Sequence, residues 1–216
     1  LGIAIQLTPE QVARCVNEAG FGFMFAPAFH PAMRFVQPVR REIGVRTLFN
    51  VLGPLTNPAG VRRQLIGVSD RRVAGTLADV MGMLGAERVL FVAAHDGLDE
   101  ISVCGPTDVV EFDFDRSQTV AYTVEPAQFG LETCTRESIQ GGDVSENVRI
   151  TRAVLDGETG PPRTVTLMNA GAAIYAAGVA DSIGNGIALA AESIDSGRAR
   201  DALNRAAALS QRLAAG

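Results

Sequence analysis

Apolar residues in the central part of the chain fall into short runs separated by a helical pattern. Gln64–Val68 and Arg88–Ala94 are short and apolar enough to be buried strands. Between them, Ser69 is a candidate N-cap for a helix that should end at Gly85. Two buried strands joined by one helix are typical of a parallel crossover. We therefore predict an α/β fold whose sheet is mainly parallel and is flanked by helices.

Helical patterns precede and follow the predicted strands along the chain. Near the beginning of the chain, Thr8 and Gln11 form a capping box around Pro9, and Gly20 is the expected stop. The apolar stripe of that helix consists of Val12, Val16 and Ala19. Further helices are predicted near 143–156, 165–179, 182–195 and 198–213. Two segments with alternating apolar and polar residues are predicted edge strands, Val109–Phe114 and Thr119–Val124.

The segment from Phe29 to Pro58 combines a histidine, several prolines and a run of arginines, a composition suited to holding an anion. Pro31 fits the first turn of a helix, which should continue to Ile43 and end at Gly44. Arg40 follows His30 by nearly three helical turns. The two side chains should therefore bind different parts of one ligand or line one tunnel.

Composition narrows the class of protein. At 216 residues the chain is long enough for one sizeable α/β core. The net charge of −5 argues against nucleic-acid binding, because phosphate contacts need clustered basic residues. The cysteines, Cys15, Cys104 and Cys134, form no CxxC pair, so we expect reduced thiols rather than disulfides or a structural zinc. No apolar run reaches membrane-spanning length, so we expect no membrane partner and a cytoplasmic location.

An acidic run, Asp96–Glu100, directly follows the predicted strand Arg88–Ala94. In doubly wound sheets ligands bind beyond the carboxyl ends of the strands, so Asp99 and Glu100 fall where a site is expected. Mg²⁺ is commonly held by one or two carboxylates together with substrate phosphates. The alternative is a solvated acidic turn, since carboxylates are mostly exposed. With two histidines in the chain and no His/Cys cluster, His95 is not expected to bind zinc.

Several longer motifs occur in one order along the chain. They are HPAM at His30, VRREIGVRT at Val39, FNVLGPLTNPA at Phe49, DGLDEIS at Asp96, GGDVSEN at Gly141, MNAGAAIYAAG at Met168 and ADSIGNGIALAAESIDSG at Ala180. In this order and spacing they resemble the anthranilate phosphoribosyltransferases, the tryptophan-pathway enzymes that join anthranilate to phosphoribosyl pyrophosphate. The resemblance covers essentially the whole chain.

The resemblance also implies what else the protein should contain. The family has a GTGGD loop for the pyrophosphate and a KHGN segment for the ribose phosphate and anthranilate. Neither occurs in this chain, which opens at Leu1. We therefore expect residues 1–216 to be the C-terminal portion of a catalytic domain of the nucleoside phosphorylase/phosphoribosyltransferase type, lacking most of the N-terminal helical domain. Residues 8–58 should contact that helical domain or hinge toward it. The piece alone should be inactive.

By the same resemblance, the amine of anthranilate displaces pyrophosphate from C1 of the ribose in a magnesium-dependent reaction, in a homodimer. Asp99 and Glu100 match the family's magnesium-binding pair. Arg40 matches its anthranilate-binding arginine, and a guanidinium suits a carboxylate because it can form two parallel hydrogen bonds. The residues expected to line the aromatic slot are His30, Pro27, Met33 and Pro54. No catalytic acid or base is implied.

The sequence leaves other roles open for the predicted site residues and other functional classes open for the whole chain. His30 can instead be a capping or core histidine, and the apolar residues of the slot can be ordinary packing residues. The whole chain can belong to a pyrimidine nucleoside phosphorylase-like enzyme, to a silent relative that binds nucleic acid, or to a purely structural domain. The acidic composition, with a pI near 5.1, counts against nucleic-acid binding.

Overall fold

The structure is a computed structural model that describes residues 1–30, 53, 55–115 and 118–215. The chain divides into two compact units, one made of Leu1–Asn50 with Ser196–Gly216 and one made of Val51–Asp195. The helix predicted from Pro31 to Ile43 lies outside the described residues. No helix in the described part combines the length and apolar character needed to span a bilayer.

Helices in the described ranges include α1 (Pro9–Arg14), α2 (Ala26–Phe29), α3 (Ala74–Met83), α4 (Val144–Leu155), α5 (Pro161–Ala176), α6 (Ile183–Asp195) and α7 (Arg198–Ala215). The strands are β1 (Arg63–Gly67), β2 (Arg88–Ala94), β3 (Thr107–Asp113) and β4 (Gln118–Val124). One π-helical turn spans Cys15–Ala19, and 3₁₀ turns span Arg71–Val73, Pro126–Phe129 and Arg136–Ile139. The predicted C-terminal helices are confirmed, although α5 begins earlier than expected because Pro161 suits its first turn.

In the first unit, α1 and α7 share an apolar core. Its buried members are Leu7, Val12, Cys15, Ala19, Ala206 and Leu209. The predicted capping box is confirmed, since the Gln11 amide donates to the Thr8 hydroxyl at 3.3 Å and the Thr8 amide donates to the Gln11 side chain at 2.8 Å. The Gln11 side chain also donates to the Leu213 carbonyl at 2.6 Å. One residue therefore both caps α1 and ties it to α7.

The apolar stripe predicted for this helix is partly wrong. Val12 and Ala19 are buried, but Val16 is 50% exposed and Cys15 is buried in its place. The physical reason is the π-helical turn at Cys15–Ala19, whose wider turns rotate the side chains away from their α-helical positions. The helix still ends at Gly20, which adopts the left-handed conformation with φ of 80°.

The second unit is built on a four-stranded sheet with the order β1-β2-β3-β4. β1 and β2 are parallel, as the strand–helix–strand pattern predicts, with Leu65 opposite Leu90. β3 and β4 are added in antiparallel fashion. The α/β class is confirmed, and the sheet is mixed rather than mainly parallel within the described residues. The connection from β3 to β4 spans only residues 114–117, which is too short for a parallel crossover, and β3 runs back along β2.

Two sequence expectations about this unit need correction. β3 is not an edge strand, because β2 and β4 pair with its two sides. Its alternating pattern reflects two differently covered faces instead of one solvated face. The N-cap before α3 is Asp70 rather than Ser69, since the Asp70 carboxylate accepts from the Arg72 amide at 3.0 Å and starts a 3₁₀ turn that leads into the helix.

Both faces of the sheet are covered by helices. On one face, α3 packs on Ile66, Val89, Phe91 and Ala93 in a single apolar cluster. Because side chains alternate along a strand, Leu90 and Val92 point to the opposite face, where α5 contacts β1 and β2. Both residues are almost fully buried. The central strands are therefore enclosed from both sides, which explains the continuous apolar run of β2.

The α5 side of the sheet also buries charge. The Arg88 guanidinium lies 2.7 Å from Asp113 and 3.6 Å from Glu111, and it stacks 4.9 Å from the centre of the Tyr175 ring. Glu111 accepts hydrogen bonds from the Tyr175 hydroxyl at 2.7 Å and the Tyr122 hydroxyl at 2.9 Å. We call these five residues the buried charge cluster. The cluster gives the Glu111 and Asp113 side chains of β3 the partners that they need in order to be buried.

The helix α5 is held close to α6. A side chain at Gly171 would overlap the backbone of Ile187, and one at Gly186 would overlap the carbonyl of Gly171. The glycines of the MNAGAAIYAAG and GNG motifs therefore allow close contact of the two helix backbones.

Candidate functional site

The acidic run forms a turn at the carboxyl end of β2, as the sequence predicts. The Gly97 amide donates to the Ala94 carbonyl at 3.1 Å, and Gly97 has a φ of 89° that favours glycine. The turn lies over the end of β1 as well, since a side chain at Gly67 would overlap the Asp99 carbonyl. The carboxyl ends of the two parallel strands therefore meet at this turn. We call Asp96–Ser102 the acidic turn.

Asp96 and Ser102 stabilise the acidic turn from inside. The Asp96 carboxylate accepts from the Leu98 amide at 3.1 Å and from the Ser102 hydroxyl at 2.5 Å. Ser102 is fully buried, and its amide donates to the Thr107 hydroxyl at 3.0 Å. Both side chains thus have internal partners, which explains why an Asp-Gly turn and a serine occupy these positions.

A residue that sequence reasoning missed holds the far side of the turn. Asn169, on α5, accepts from the Ile101 amide at 2.9 Å and donates to the Ile101 carbonyl at 2.9 Å. The available signal was an amide side chain inside an otherwise apolar helical motif, which needs a partner if it is buried. Gly67 was missed as well, although a glycine at the end of a strand is a signal for close backbone approach.

Asp99 and Glu100 point away from this internal network. Both residues are solvent-exposed, and among the described residues neither forms an ion pair with an arginine or histidine. The pKa of Glu100 is raised, first by partial desolvation of its carboxylate and then by the negative charges of Asp99 and Asp96. A cation beside these groups would relieve that repulsion.

This donor set fits magnesium rather than zinc. Within the described ranges no group of three or more His, Cys, Asp or Glu side chains could hold a metal ion by itself. Two carboxylates are nevertheless enough for Mg²⁺ when substrate phosphates supply further oxygens. Asp99 and Glu100 therefore fit a magnesium ion that arrives with a phosphorylated substrate.

His95 is engaged elsewhere. Its Nε2 lies 2.9 Å from Asp108, which also accepts from the Thr123 hydroxyl at 3.2 Å and pairs with Arg71 at 3.3 Å. The pKa of Asp108 is lowered, chiefly by the hydrogen bond to His95. Asp108, Thr123 and Arg71 form the polar rim of a groove of about 340 Å³ between α3 and the β3–β4 hairpin.

The residues expected to bind the aromatic substrate are only partly described. Pro27 lies in the first turn of α2 and is exposed. His30 follows α2, and its amide donates to the Ala26 carbonyl at 2.9 Å. Its ring is half-buried. Arg40, Met33 and Pro54 lie outside the described residues. The structure places Asp99 and Glu100 in one exposed turn, and the roles of all seven predicted site residues stay predictions.

Comparison with known proteins identifies the family. A family model described as "Glycosyl transferase family, a/b domain" matches residues 1–200. The chain belongs to this glycosyl transferase family. It is similar to the anthranilate phosphoribosyltransferase of Thermomicrobium roseum, with 52% identity over 217 residues covering 99% of this chain and 62% of that protein. The Methylobacillus flagellatus enzyme is 51% identical over 211 residues, covering 98% of this chain and 61% of that protein. The predicted resemblance is thereby confirmed.

Solved structures agree. Anthranilate phosphoribosyltransferase from Thermus thermophilus matches with a TM-score of 0.88 and 41% identity, over 97% of this chain and 62% of that one. The Saccharomyces cerevisiae enzyme in complex with phosphoribosyl pyrophosphate and Mg matches with a TM-score of 0.88 and 31% identity, over 98% of this chain and 61% of that one. The yeast enzyme in complex with 4-fluoroanthranilate matches with a TM-score of 0.89 and 29% identity, over 98% of this chain and 61% of that one. The chain thus spans about three fifths of the length of its relatives.

Proposed function

We propose that this chain supplies the C-terminal part of an enzyme that transfers the phosphoribosyl group from phosphoribosyl pyrophosphate to the amine of anthranilate. The products are N-(5-phosphoribosyl)anthranilate and pyrophosphate, a step of tryptophan biosynthesis. The observation that carries the proposal is the acidic turn. It presents two carboxylates that have no cationic partner among the described residues, at the ends of parallel strands, in a chain about half identical to anthranilate phosphoribosyltransferases.

In this function Asp99 and Glu100 hold magnesium together with the pyrophosphate oxygens of the substrate. The bound ion neutralises negative charge on the leaving pyrophosphate. The bond from ribose C1 to the pyrophosphate oxygen breaks while the bond from C1 to the anthranilate nitrogen forms, and the nitrogen releases one proton to the departing pyrophosphate. Because the amine is itself a nucleophile, positioning rather than a protein base supplies most of the remaining acceleration.

Arg40 binds the anthranilate carboxylate in this proposal, and His30, Pro27, Met33 and Pro54 line the slot for its ring. Support comes from the HPAM and VRREIGVRT motifs and from the yeast enzyme, which was solved with 4-fluoroanthranilate. The ribose phosphate and pyrophosphate would be held largely by sequence that this chain does not contain. The 216 residues alone should therefore not catalyse the transfer.

We further propose that the complete enzyme is a homodimer and that residues 8–58 lie toward its helical domain. Large apolar side chains on the first unit support a covering partner, because Val16, Phe21 and Phe23 are each between 42% and 50% exposed. Free thiols at all three cysteines support a reducing compartment, the cytoplasm.

The test is an activity assay on the full-length enzyme that contains this chain. With anthranilate, phosphoribosyl pyrophosphate and Mg²⁺ we expect formation of phosphoribosylanthranilate. Arg40→Ala should raise the KM for anthranilate about 10- to 100-fold, the cost of losing a charge-assisted hydrogen-bonded pair, with little change in the KM for phosphoribosyl pyrophosphate. Arg41→Ala is the matched control, because Arg41 is the neighbour of Arg40 in sequence and is expected to face solvent or a partner, and it should leave both KM values unchanged. Phosphorolysis of a pyrimidine nucleoside, with no transfer to anthranilate, would overturn the proposal.

A further inference from the structure

The side chain of Asn169 binds the main chain of the acidic turn at one residue. Its oxygen accepts from the Ile101 amide at 2.9 Å, while its nitrogen donates to the Ile101 carbonyl at 2.9 Å and to the Val165 carbonyl at 3.0 Å. Both protons of the amide and its oxygen therefore have partners. Ile101 directly follows Glu100, so these bonds fix the chain where the exposed carboxylates end.

These bonds cannot be replaced easily. Ile101, Ser102 and Val103 are fully buried, so water cannot take over the main-chain groups of Ile101. A buried peptide group without a partner is costly, and the turn would have to move to satisfy it. The Asn169 amide is thus the natural partner that allows Ile101 to stay buried in this conformation.

The other side of the carboxylate pair is fixed independently. The Asp99 carbonyl lies against Gly67 at the end of β1, at a distance that leaves no room for a side chain there. Asp99 and Glu100 thus lie between a contact with the sheet and a contact with α5. Of the two contacts, only the one from Asn169 consists of directed hydrogen bonds that a conservative substitution can remove.

We propose that Asn169 is a positioning residue that holds the Asp99 and Glu100 carboxylates in the arrangement that binds Mg²⁺. The inference rests on the proposed function, in which these two carboxylates bind the metal. Asn169 itself touches neither metal nor substrate. It acts by fixing the main chain next to the ligands, and removing partners that orient metal ligands typically weakens metal binding about 10- to 100-fold.

The first test is Asn169→Ala in the full-length enzyme. We expect the half-saturating Mg²⁺ concentration to rise at least about tenfold, with most of kcat recovered at high Mg²⁺. Mn²⁺ binding in the presence of phosphoribosyl pyrophosphate, followed by electron paramagnetic resonance, should weaken in parallel. Without metal or substrate, hydrogen exchange of the Ile101 amide should accelerate at least about fivefold, the effect of losing one hydrogen bond.

Tyr175→Phe is the matched control. It removes a 2.7 Å hydrogen bond made by the same helix, α5, but to Glu111 in β3 instead of to the acidic turn. It should lower stability without changing either the Mg²⁺ dependence or exchange at Ile101. A loss of metal affinity in this control equal to that in Asn169→Ala would mean that general destabilisation, not positioning, is responsible.

Asn169→Asp, measured near pH 8, covers the case in which the alanine variant does not fold. It keeps the acceptor for the Ile101 amide and the shape of the side chain, but it places an oxygen against two carbonyls. Added negative charge alone would tighten cation binding, whereas the positioning role predicts weaker binding. Tighter binding, or an unchanged Mg²⁺ dependence in the folded alanine variant, would overturn the proposal.

The double variant Asp99→Asn with Glu100→Gln separates this inference from the proposed function. If it retains the parental Mn²⁺ affinity, the magnesium assignment itself is wrong. If it loses Mn²⁺ binding while Asn169→Ala keeps it, only the positioning role is wrong.

Discussion

The acidic turn and the buried charge cluster each contain an Asp and a Glu, but the surroundings of the two carboxylate pairs differ. Asp99 and Glu100 are exposed and have no cationic partner among the described residues. Glu111 and Asp113 are almost fully buried, and Arg88, Tyr122 and Tyr175 supply their partners. What distinguishes the two pairs is whether the fold provides donors. A buried carboxylate whose acceptor positions are filled depends on its partners to stay buried, whereas an exposed one left open is available to an external cation.

The largest expected effect comes from removing the open pair. Asp99→Asn with Glu100→Gln in the full-length enzyme should lower activity at least about 100-fold at a Mg²⁺ concentration that saturates the parent. The free energy of unfolding should stay the same or rise, because the repulsion among Asp96, Asp99 and Glu100 is relieved. Steady-state rates over a Mg²⁺ titration and urea denaturation test the two parts. If the double variant keeps the parental magnesium dependence, the acidic turn is only a solvated loop with no role in metal binding.

The converse change removes the cation from the buried cluster. Arg88→Met leaves Glu111 and Asp113 buried without their guanidinium, which should lower the free energy of unfolding by about 3–5 kcal/mol. Arg62→Met is the matched control, because Arg62 is 58% exposed in its pair with Glu87 and should contribute at most about 1 kcal/mol. Equal losses in the two variants, measured by urea denaturation, would contradict the contrast between buried and exposed charge.

A smaller effect is expected from the tyrosines that complete the buried cluster. Tyr175→Phe should lower the free energy of unfolding by about 1–3 kcal/mol, since a hydrogen bond to a buried carboxylate is lost. Tyr122→Phe should cost less, because Tyr122 is only half-buried. The pKa of Tyr122 is raised, first by burial and then by the charge of Glu111, so its hydroxyl remains a donor at neutral pH. A larger loss of unfolding free energy in Tyr122→Phe than in Tyr175→Phe would contradict this order.

The smallest effect concerns Asp108, a carboxylate intermediate between the two extremes. Its pKa is lowered below the ordinary value of 3.8, chiefly by His95, so it stabilises the folded state above that pH and the contribution disappears as pH falls through the lowered value. Asp108→Asn should therefore flatten the loss of stability between about pH 5 and pH 2. Unfolding measured at several pH values tests this. A steeper acid dependence in the variant would show that the sign is wrong.

Much of the fold could be predicted because its signals are local. The capping box at Thr8, the stop at Gly20 and the apolar runs of β1 and β2 act over a few residues. The acidic turn could be placed at the end of β2 for the same reason. The predictions that failed were of two kinds: the π-helical turn at Cys15–Ala19 and the N-cap at Asp70 depend on fine local geometry, and the place of β3 in the sheet depends on strand pairing. β3 is interior only because β4 returns to pair with it.

The sequence by itself determined the class of fold, the family and the place of the candidate magnesium ligands, through periodicity, turn chemistry and motif order. Only the tertiary structure decided which carboxylates have internal hydrogen-bond donors and ion-pair partners and which are exposed to solvent. The decisive partners are far apart along the chain, 68 residues for Asn169 and Ile101 and 64 for Tyr175 and Glu111. Hydrogen-bond geometry over such separations depends on how α5 packs on the sheet, and no local pattern encodes it.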